Sequence, residues 1–242
     1  FAARPDACLG FARRLVADKI ANQRTLLRRN AETTEAMDRA LADLAAIQER
    51  TSAAADLPAL LGLEGLAAAA YFAQFASMIK AGDFDRRFDF AGRNRRPPLD
   101  PVNAMLSFAY ALLAKECTVA LLAEGLDPWW GLFHRPRHGR PALALDLMEP
   151  LRPLLADSAV LGAINRGMVS SAGFVRSAAG CLMRDPTRKA LIRAWEGRLD
   201  ELVTHPRFGY RCAWRSVTRL QARLLARHLR GDVPEYANIV TR

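Results

Sequence analysis

The sequence predicts an all-α fold, and two observations support this prediction. Alanine, leucine and arginine dominate the chain while valine and isoleucine are sparse, a balance that favours helix over strand. Apolar residues also recur with helical spacing along nearly the whole sequence. The 242 residues are 51% hydrophobic and 25% charged, which is typical of a globular protein. Neither a repeat nor a low-complexity linker divides them, so we expect one helical domain over residues 1–242.

Three amphipathic helices are predicted in the first third of the chain. The first covers residues 6–30, with an apolar side and with Lys19 among the arginines around the rest of its surface. The second covers residues 33–50, where methionine, leucine and isoleucine form a stripe. The third covers residues 57–80 and carries Glu64 near its start.

An irregular segment is predicted at residues 82–98, because its closing GRNRRPP cannot continue a helix. Asp100 then suits an N-cap and Pro101 the first helical position of a fourth helix, which we expect to reach about Glu124. A loop rich in glycine, proline and tryptophan follows and contains His134. Further helices are expected at residues 141–165 (bent by Pro150 and Pro153), 187–203 and 210–230, followed by an extended tail.

The four cysteines are far apart and form no CxxC pair, which argues against a zinc site and favours buried, reduced thiols. The sequence shows no signal peptide and no uninterrupted apolar run that we expect to cross a bilayer. We therefore expect a cytoplasmic protein without membrane contact.

The charge balance points toward a polyanionic partner. The chain has 35 basic and 25 acidic residues, a formal net charge of +10 and a pI near 10.2. Arginine supplies nearly all the positive charge, which suits bidentate contacts with phosphate. The alternative is an ordinary solvated surface in a protein from a GC-rich genome, which also enriches alanine and arginine.

The stretch from Gly125 to Arg152 combines a histidine with carboxylates. Asp146 and Glu149 are three residues apart and share one face of a helix, while His134 lies in the stiff preceding loop. Brought to one point, such groups can hold a divalent metal, and a metal beside basic surface indicates phosphodiester chemistry. The alternatives are a histidine that packs or caps and an acidic helix face, although leucines around the carboxylates favour burial beside a cation.

Two other features are ambiguous from the residues alone. Glu64 lies in an alanine-rich, aromatic helix, and the simplest interpretation is an exposed glutamate favoured by the helix dipole. Arginines recur at every fourth residue of the last helix, where like charges cost roughly 0.2–0.5 kcal/mol per pair. Acids on the preceding helix or DNA phosphates could offset this cost. The arginines are Arg211, Arg215, Arg219, Arg223 and Arg227, and the candidate acids are Glu196, Asp200 and Glu201.

Four strings together resemble a known family. They are GLEG…Y, GRNRRPPLDPVNAMLSFAYALL, GLDPWWGLFH and ALALDLMEPLRP. In this order and spacing they look like the catalytic domain of the CRISPR-associated endonuclease that integrates new spacers, the first of the Cas proteins. The resemblance runs from about residue 6 to about residue 238. It implies a helical catalytic domain, preceded in the family by a small β domain that this sequence does not contain.

The resemblance also implies site residues. Glu64, His134 and Glu149 match the family's catalytic metal ligands, for Mg²⁺ or Mn²⁺, and Asp146 matches a supporting group or alternative ligand. Asn103, Ser107 and Tyr110 match positions that line or support the site, and Tyr71 could point into the same cavity. The residues expected to hold DNA phosphates are Arg93, Arg95, Arg96, Arg211, Arg215, Arg219 and Arg223.

The implied reaction is transesterification, in which a 3′-hydroxyl of a short duplex attacks a phosphodiester of the CRISPR repeat. The implied partners are double-stranded DNA, a second copy of the chain in a homodimer, the small second adaptation protein, and a fused or associated end-processing nuclease. A non-catalytic DNA-binding scaffold subunit of the same kind of complex is the main alternative. An unrelated helical metal-dependent phosphohydrolase is a third.

Overall fold

The computed structural model describes residues 4–80, 88–94 and 96–241, and these residues form a predominantly helical structure. Two antiparallel hairpins of very short strands accompany the helices. The helices are α1 (Pro5–Asn30), α2 (Glu35–Thr51), α3 (Leu57–Ala73), α4 (Pro101–Ala123), α5 (Ala142–Met148), α6 (Ser158–Asn165), α7 (Asp185–Asp200) and α8 (Trp214–Arg230). The strands are β1 (Phe174–Ser177), β2 (Gly180–Met183), β3 (Leu202–Thr204) and β4 (Arg211–Ala213).

The first four helices form where the sequence predicts them, because their end signals are local. The Asp100 carboxylate accepts a hydrogen bond from the Asn103 amide at 2.8 Å, and Pro101 occupies the first turn of α4 as expected. The third helix is shorter than predicted. It ends at Ala73, and a tight 3₁₀ turn over Phe75–Met78 continues the chain.

The two hairpins correct the all-α prediction. β1 pairs with β2 from Phe174 opposite Met183 to Ser177 opposite Gly180, and β3 pairs with β4. As a result α7 ends three residues earlier than expected, and α8 begins at Trp214 instead of residue 210. Gly180 has a φ of +120°, and a Cβ there would lie 2.9 Å from the Pro98 carbonyl oxygen. Strands of three or four residues are too short to show a period-two pattern, so the sequence does not reveal them.

The predicted helix over residues 141–165 is interrupted as well as bent. α5 stops at Met148, Glu149 and Pro150 form a turn, and a wide π-helical segment covers Arg152–Asp157 before α6 begins. Proline has no amide hydrogen, so Pro150 and Pro153 cannot complete a regular hydrogen-bond ladder here. The interruption redirects the chain immediately after the acidic residues of α5.

α1 is the helix against which the site-bearing segments pack. It contacts α2, α3 and the π-helical segment, and its central apolar residues are fully buried. The buried Asn22 donates hydrogen bonds to the Pro150 carbonyl at 2.9 Å and the Ile239 carbonyl at 3.0 Å, and accepts one from the Thr241 amide at 3.0 Å. One side chain thus ties the turn after Glu149 and the extended C-terminal tail to the same point of α1.

The sequence was expected to contain no apolar segment able to cross a bilayer, and α4 does not meet this expectation. By length and composition alone it is apolar enough to do so. Its buried face packs against α5, α6, α8, β2 and the π-helical segment, and Lys115 and Glu116 interrupt its sequence. These contacts are those of a core helix, and the same long apolar composition is common in buried helices.

We expect Asn22→Ala to lower the free energy of unfolding by about 2–3 kcal/mol, because three buried backbone groups lose their partner. Urea denaturation followed by circular dichroism measures this change. Asn30→Ala is the matched control, since Asn30 bonds only the Leu26 carbonyl one turn back at a partly exposed helix end. Equal losses in the two variants would mean that Asn22 does not tie these segments together.

Candidate metal centre

Three charged side chains from distant parts of the chain meet at one point. The Lys19 ammonium of α1 lies 2.5 Å from Glu64 Oε1 of α3 and 2.7 Å from Glu149 Oε2 after α5. Lys19 and Glu149 are 7% and 2% exposed, while the Glu64 side chain is 22% exposed. Burial lowers the pKa of Lys19, but the carboxylates of Glu149 and Glu64 raise it by a larger amount. The pKa of Lys19 therefore lies above its ordinary value. The cluster therefore holds a charged ammonium between two carboxylates.

His134 is held at the edge of this cluster by Asp146. Its Nδ1 lies 2.7 Å from Asp146 Oδ1, and its Nε2 lies 3.8 Å from Glu149 Oε1. The fully buried Asp146 carboxylate also accepts hydrogen bonds from the backbone amides of Leu132, Phe133 and His134, at 2.7, 3.0 and 2.9 Å. A single carboxylate thereby fixes both the loop and the histidine ring, and leaves Nε2 directed toward Glu149.

The loop before His134 packs tightly on the start of α5. The Pro128 carbonyl accepts a hydrogen bond from the Leu143 amide at 2.8 Å, in place of a side-chain cap on α5. At Gly131 a Cβ would lie 2.3 Å from the His134 carbonyl oxygen and 2.7 Å from Ala142 Cβ. Only glycine, which has no Cβ, allows the backbone to come this close to His134 and Ala142. This close packing explains why residue 131 is a glycine.

Arg152 supplies a second cation to Glu149. Its Nη2 lies 3.0 Å from Glu149 Oε1, and its guanidinium lies over the ring of Tyr110 at 4.7 Å from the ring centre. Burial raises the pKa of Glu149, but Arg152, Lys19 and His134 lower it more, so the net pKa lies well below its usual range. Glu149 is therefore a carboxylate held in its ionised form by surrounding cations.

Asp157 anchors a second buried network beside the cluster. Its oxygens accept hydrogen bonds from the hydroxyls of Tyr71 at 2.8 Å and Tyr110 at 2.7 Å. Burial raises the pKa of Asp157 to about 6 despite these two donors. Tyr110 thus joins Asp157 to Arg152, and through Arg152 to Glu149.

The donor set fits a divalent metal in its chemistry. Glu149 Oε2 is buried and receives no well-directed hydrogen bond although Lys19 Nζ is 2.7 Å away, and His134 Nε2 is available because Nδ1 faces Asp146. Among the residues described, however, no three histidine, cysteine or carboxylate groups converge closely enough to hold a metal ion. The Lys19 ammonium is the cation in contact with both glutamates here. Glu64, His134 and Glu149 remain predicted ligands.

The arginine cluster before α4 is placed partly against expectation. Arg93 donates to Asn103 Oδ1 at 2.6 Å and to Ser107 at 3.1 Å, so this predicted phosphate contact also supports the local structure. Arg96 is exposed. Arg95 lies outside the residues that the structure describes.

The predicted row of arginines in and before α8 contains two kinds of residue: some form ion pairs with carboxylates and others are exposed without one among the residues described. Arg215 pairs with Glu196 at 2.7 Å and Asp200 at 3.1 Å, two of the acids predicted for this role, while Glu201 contacts Arg198 instead. Arg223 pairs with Glu124 at 3.1 Å. Arg211 precedes the helix in β4. In the described part of the chain Arg211 and Arg219 are exposed and have no carboxylate within 4.0 Å.

Lys19 and Arg152 are the functional candidates that the sequence prediction missed. The sequence prediction placed Lys19 with the arginines around the rest of the first helix, away from its apolar side, whereas the structure buries it. Two apolar residues on its own side of the helix gave a signal for burial: Leu15 and Val16, four and three positions before it. Arg152 carried a weaker signal, three residues after Glu149.

We expect Asp146→Asn to destabilise the protein by about 3 kcal/mol and to free the His134 ring. An amide nitrogen would face backbone N–H groups that now donate to a carboxylate oxygen. Urea denaturation measures the first effect, and the ¹⁵N chemical shifts of the His134 ring measure the second. Asp127→Asn is the control, because Asp127 accepts one exposed hydrogen bond from Trp129 in the same loop. A loss no greater than the control's, with unchanged ring shifts, would contradict the role given to Asp146.

Asp157 should impose a pH dependence on stability. Its pKa is about 6 in the folded protein against an ordinary 3.8, so between these values the folded state keeps a proton that the unfolded state loses. Stability from this group therefore falls as the pH rises from about 4 to 6, by about 3 kcal/mol in all.

Asp157→Asn should remove that slope, whereas the exposed Asp38→Asn should follow the wild type. The measurement is the free energy of unfolding from pH 4 to 7 for all three proteins. The depressed pKa of Glu149 acts in the opposite direction below about pH 4.5, so the difference between wild type and variant is the quantity to compare. Parallel curves for wild type and Asp157→Asn would rule out a raised pKa at Asp157.

Comparisons with known proteins agree on one family. The family model described as CRISPR associated protein Cas1 matches residues 1–197. The chain is 52% identical over 243 residues to a CRISPR-associated exonuclease Cas4/endonuclease Cas1 fusion of Geobacter sulfurreducens, covering 98% of the chain and 44% of the fusion. It is 45% identical over 235 residues to the endonuclease Cas1 3 of Thermus thermophilus, covering 97% of the chain and 67% of that protein. The chain thus spans less than half of the fusion relative.

Solved structures share the fold. A Cas1 protein from Thermotoga maritima superposes with a TM-score of 0.80 at 23% identity, over 95% of this chain and 67% of that one. A casposase bound to integration product superposes with a TM-score of 0.83 at 24% identity, over 97% of this chain and 64% of that one. The family match and the sequence identities of the relatives show that the chain belongs to the Cas1 family of CRISPR-associated proteins.

Proposed function

We propose that this chain is the helical catalytic part of a metal-dependent DNA endonuclease and integrase that inserts new spacers into a CRISPR array. The observation that carries the proposal is that Lys19 holds Glu64 and Glu149 on either side of its ammonium, with His134 Nε2 3.8 Å from Glu149, in a chain of the Cas1 family with a net charge of +10. The proposed location is the cytoplasm.

The proposed reaction exchanges one phosphodiester for another. A 3′-hydroxyl oxygen forms a bond to phosphorus, the bond from phosphorus to the leaving 3′-oxygen breaks, and the proton lost by the attacker is balanced by one gained by the leaving group. A bound Mg²⁺ or Mn²⁺ would supply charge stabilisation at the phosphate oxygens. Glu64, His134 and Glu149 would hold it, and Asp146 keeps His134 in the orientation this requires.

Water would give plain strand cleavage at the same site if it replaced the hydroxyl. The chain's own contribution is then positioning of the DNA. Arg211 and Arg219, which have no carboxylate within 4.0 Å among the residues described, hold the phosphate backbone without reading bases. Arg96, exposed before α4, belongs to the same proposal. Arg215 and Arg223 contribute less, because carboxylates already neutralise them.

The proposed partners follow from the names of similar proteins. The Geobacter relative is a fusion of a Cas4 exonuclease with Cas1, and a solved Cas6-RT-Cas1–Cas2 complex contains a chain that superposes with a TM-score of 0.83 at 25% identity. We propose that this chain likewise works with a Cas2 protein and with a fused or associated nuclease. The resemblance to the family adds two further proposed partners, a second copy of the chain and double-stranded DNA.

A scaffold function is the second candidate, and one observation favours it. Both glutamates of the site are already matched by cations, Lys19 and Arg152, so the cluster has a structural role without any metal. A subunit that only holds DNA would need this cluster for its folded structure and would not need a bound metal. The experiment below separates the two functions.

We expect Glu64→Ala and His134→Ala to abolish strand transfer of a short duplex in Mn²⁺, by at least about a thousandfold, while duplex affinity stays within a few-fold. The assay uses the full-length protein with its Cas2 partner and a repeat-containing target. Arg219→Ala is the reciprocal control: it should weaken duplex binding and flatten the salt dependence of that binding. Strand transfer at wild-type rates by either site variant would reject the catalytic assignment and leave the scaffold.

A further inference from the structure

Lys19 occupies the position between the two glutamates that a divalent metal would need. Its ammonium lies within 2.7 Å of an oxygen of each, and its side chain is 8% exposed. We propose that Lys19 is a built-in counter-ion that competes with the divalent metal for Glu64 and Glu149, and so sets the metal affinity of the site. This inference rests on the proposed metal-dependent function.

The charge balance of the cluster supports competition. Two carboxylates, Glu64 and Glu149, meet two cations, Lys19 and Arg152, so the charges of these four side chains cancel before a metal arrives. A divalent ion added to this neutral, largely buried group would bring two uncompensated charges, which is unfavourable in surroundings of low polarity. Metal binding is eased if one cation withdraws from the carboxylates.

Of the two cations, Lys19 is the one able to withdraw. Arg152 is held both by Glu149 and by the ring of Tyr110, a planar arrangement that fixes the guanidinium. Among the residues described, the Lys19 ammonium contacts the two carboxylates, and it is attached by a flexible four-carbon stem in place of a planar group. Glu64 is the more exposed of the two carboxylates, with 22% of its side chain accessible against 3% for Glu149.

Lys19 also has a use before the metal binds. Two ionised glutamates brought together without a cation would repel each other. The ammonium holds both carboxylates in place, with its nitrogen 2.5 Å from an oxygen of Glu64 and 2.7 Å from an oxygen of Glu149. The site is therefore assembled in advance, at the cost of weaker metal binding.

The test is Mn²⁺ binding by Lys19→Met, measured in the full-length protein by isothermal titration calorimetry and by the metal-induced rise in Tm. Methionine keeps the length and the apolar stem but removes the charge. We expect a lower Tm without metal, a larger rise in Tm with Mn²⁺, and a Kd for Mn²⁺ at least about tenfold lower than that of the wild type. Lys19→Gln serves as the second variant if methionine does not fold, and Lys19→Arg should keep the Kd near the wild-type value.

Lys115→Met is the matched control, because it removes the same charge from an exposed position on α4. It should leave the Kd for Mn²⁺ unchanged, which separates a local effect from one of net charge. A Kd for Lys19→Met or Lys19→Gln that is equal to or higher than that of the wild type overturns the competition, and strand transfer would still support the proposed function. The absence of Mn²⁺ binding in every protein would overturn the metal site itself.

Discussion

The structure depends on one buried ammonium shared by two glutamates. Lys19 joins α1 to α3 through Glu64 and to the turn after α5 through Glu149, so residues more than a hundred positions apart are fixed by a single charge. Removing either partner from such a buried group leaves a charge without compensation, which is far more costly than losing a surface ion pair. The apolar packing of α1 brings these segments near each other. The ion group then determines which side chains face one another.

The sequence predicted regular structure well where local signals specify it. Asp100 and Pro101 begin α4 as expected, and Pro150 and Pro153 mark the interrupted helix. The strands were missed because pairing of three or four residues depends on a partner strand, which a local pattern does not contain. Lys19 was misplaced for a different reason: residue type was given more weight than position, although its neighbours one turn away are buried.

In the candidate site, too, the sequence predicted what local signals specify and missed what depends on distant residues. Residue types and spacing predict that His134, Asp146 and Glu149 act together, since all three lie within sixteen residues and on linked elements. Nothing in the residues around Glu64 separates a site glutamate from an exposed helix start, and only resemblance to a family singled it out. The ion pairs of the arginines are harder to predict from the sequence, because their partners lie on other helices. Arg223 contacts Glu124 at the end of α4, and no sequence spacing indicates that contact.

Three buried carboxylates within twelve residues have different roles because their surroundings differ. Asp146 is surrounded by backbone N–H groups and the His134 ring, so its oxygens are committed to holding the loop. Glu149 faces two cations, with Lys19 2.7 Å from one oxygen and Arg152 3.0 Å from the other, so its oxygens are matched by charges and not by the backbone. Asp157 faces two tyrosine hydroxyls, and burial raises its pKa to about 6 despite these two donors. A regular helix would have set Glu149 and Asp157 about 12 Å apart along its axis and about 80° apart around it. With the helix interrupted at Pro150, Tyr110 links Asp157 to Arg152, and Arg152 links to Glu149.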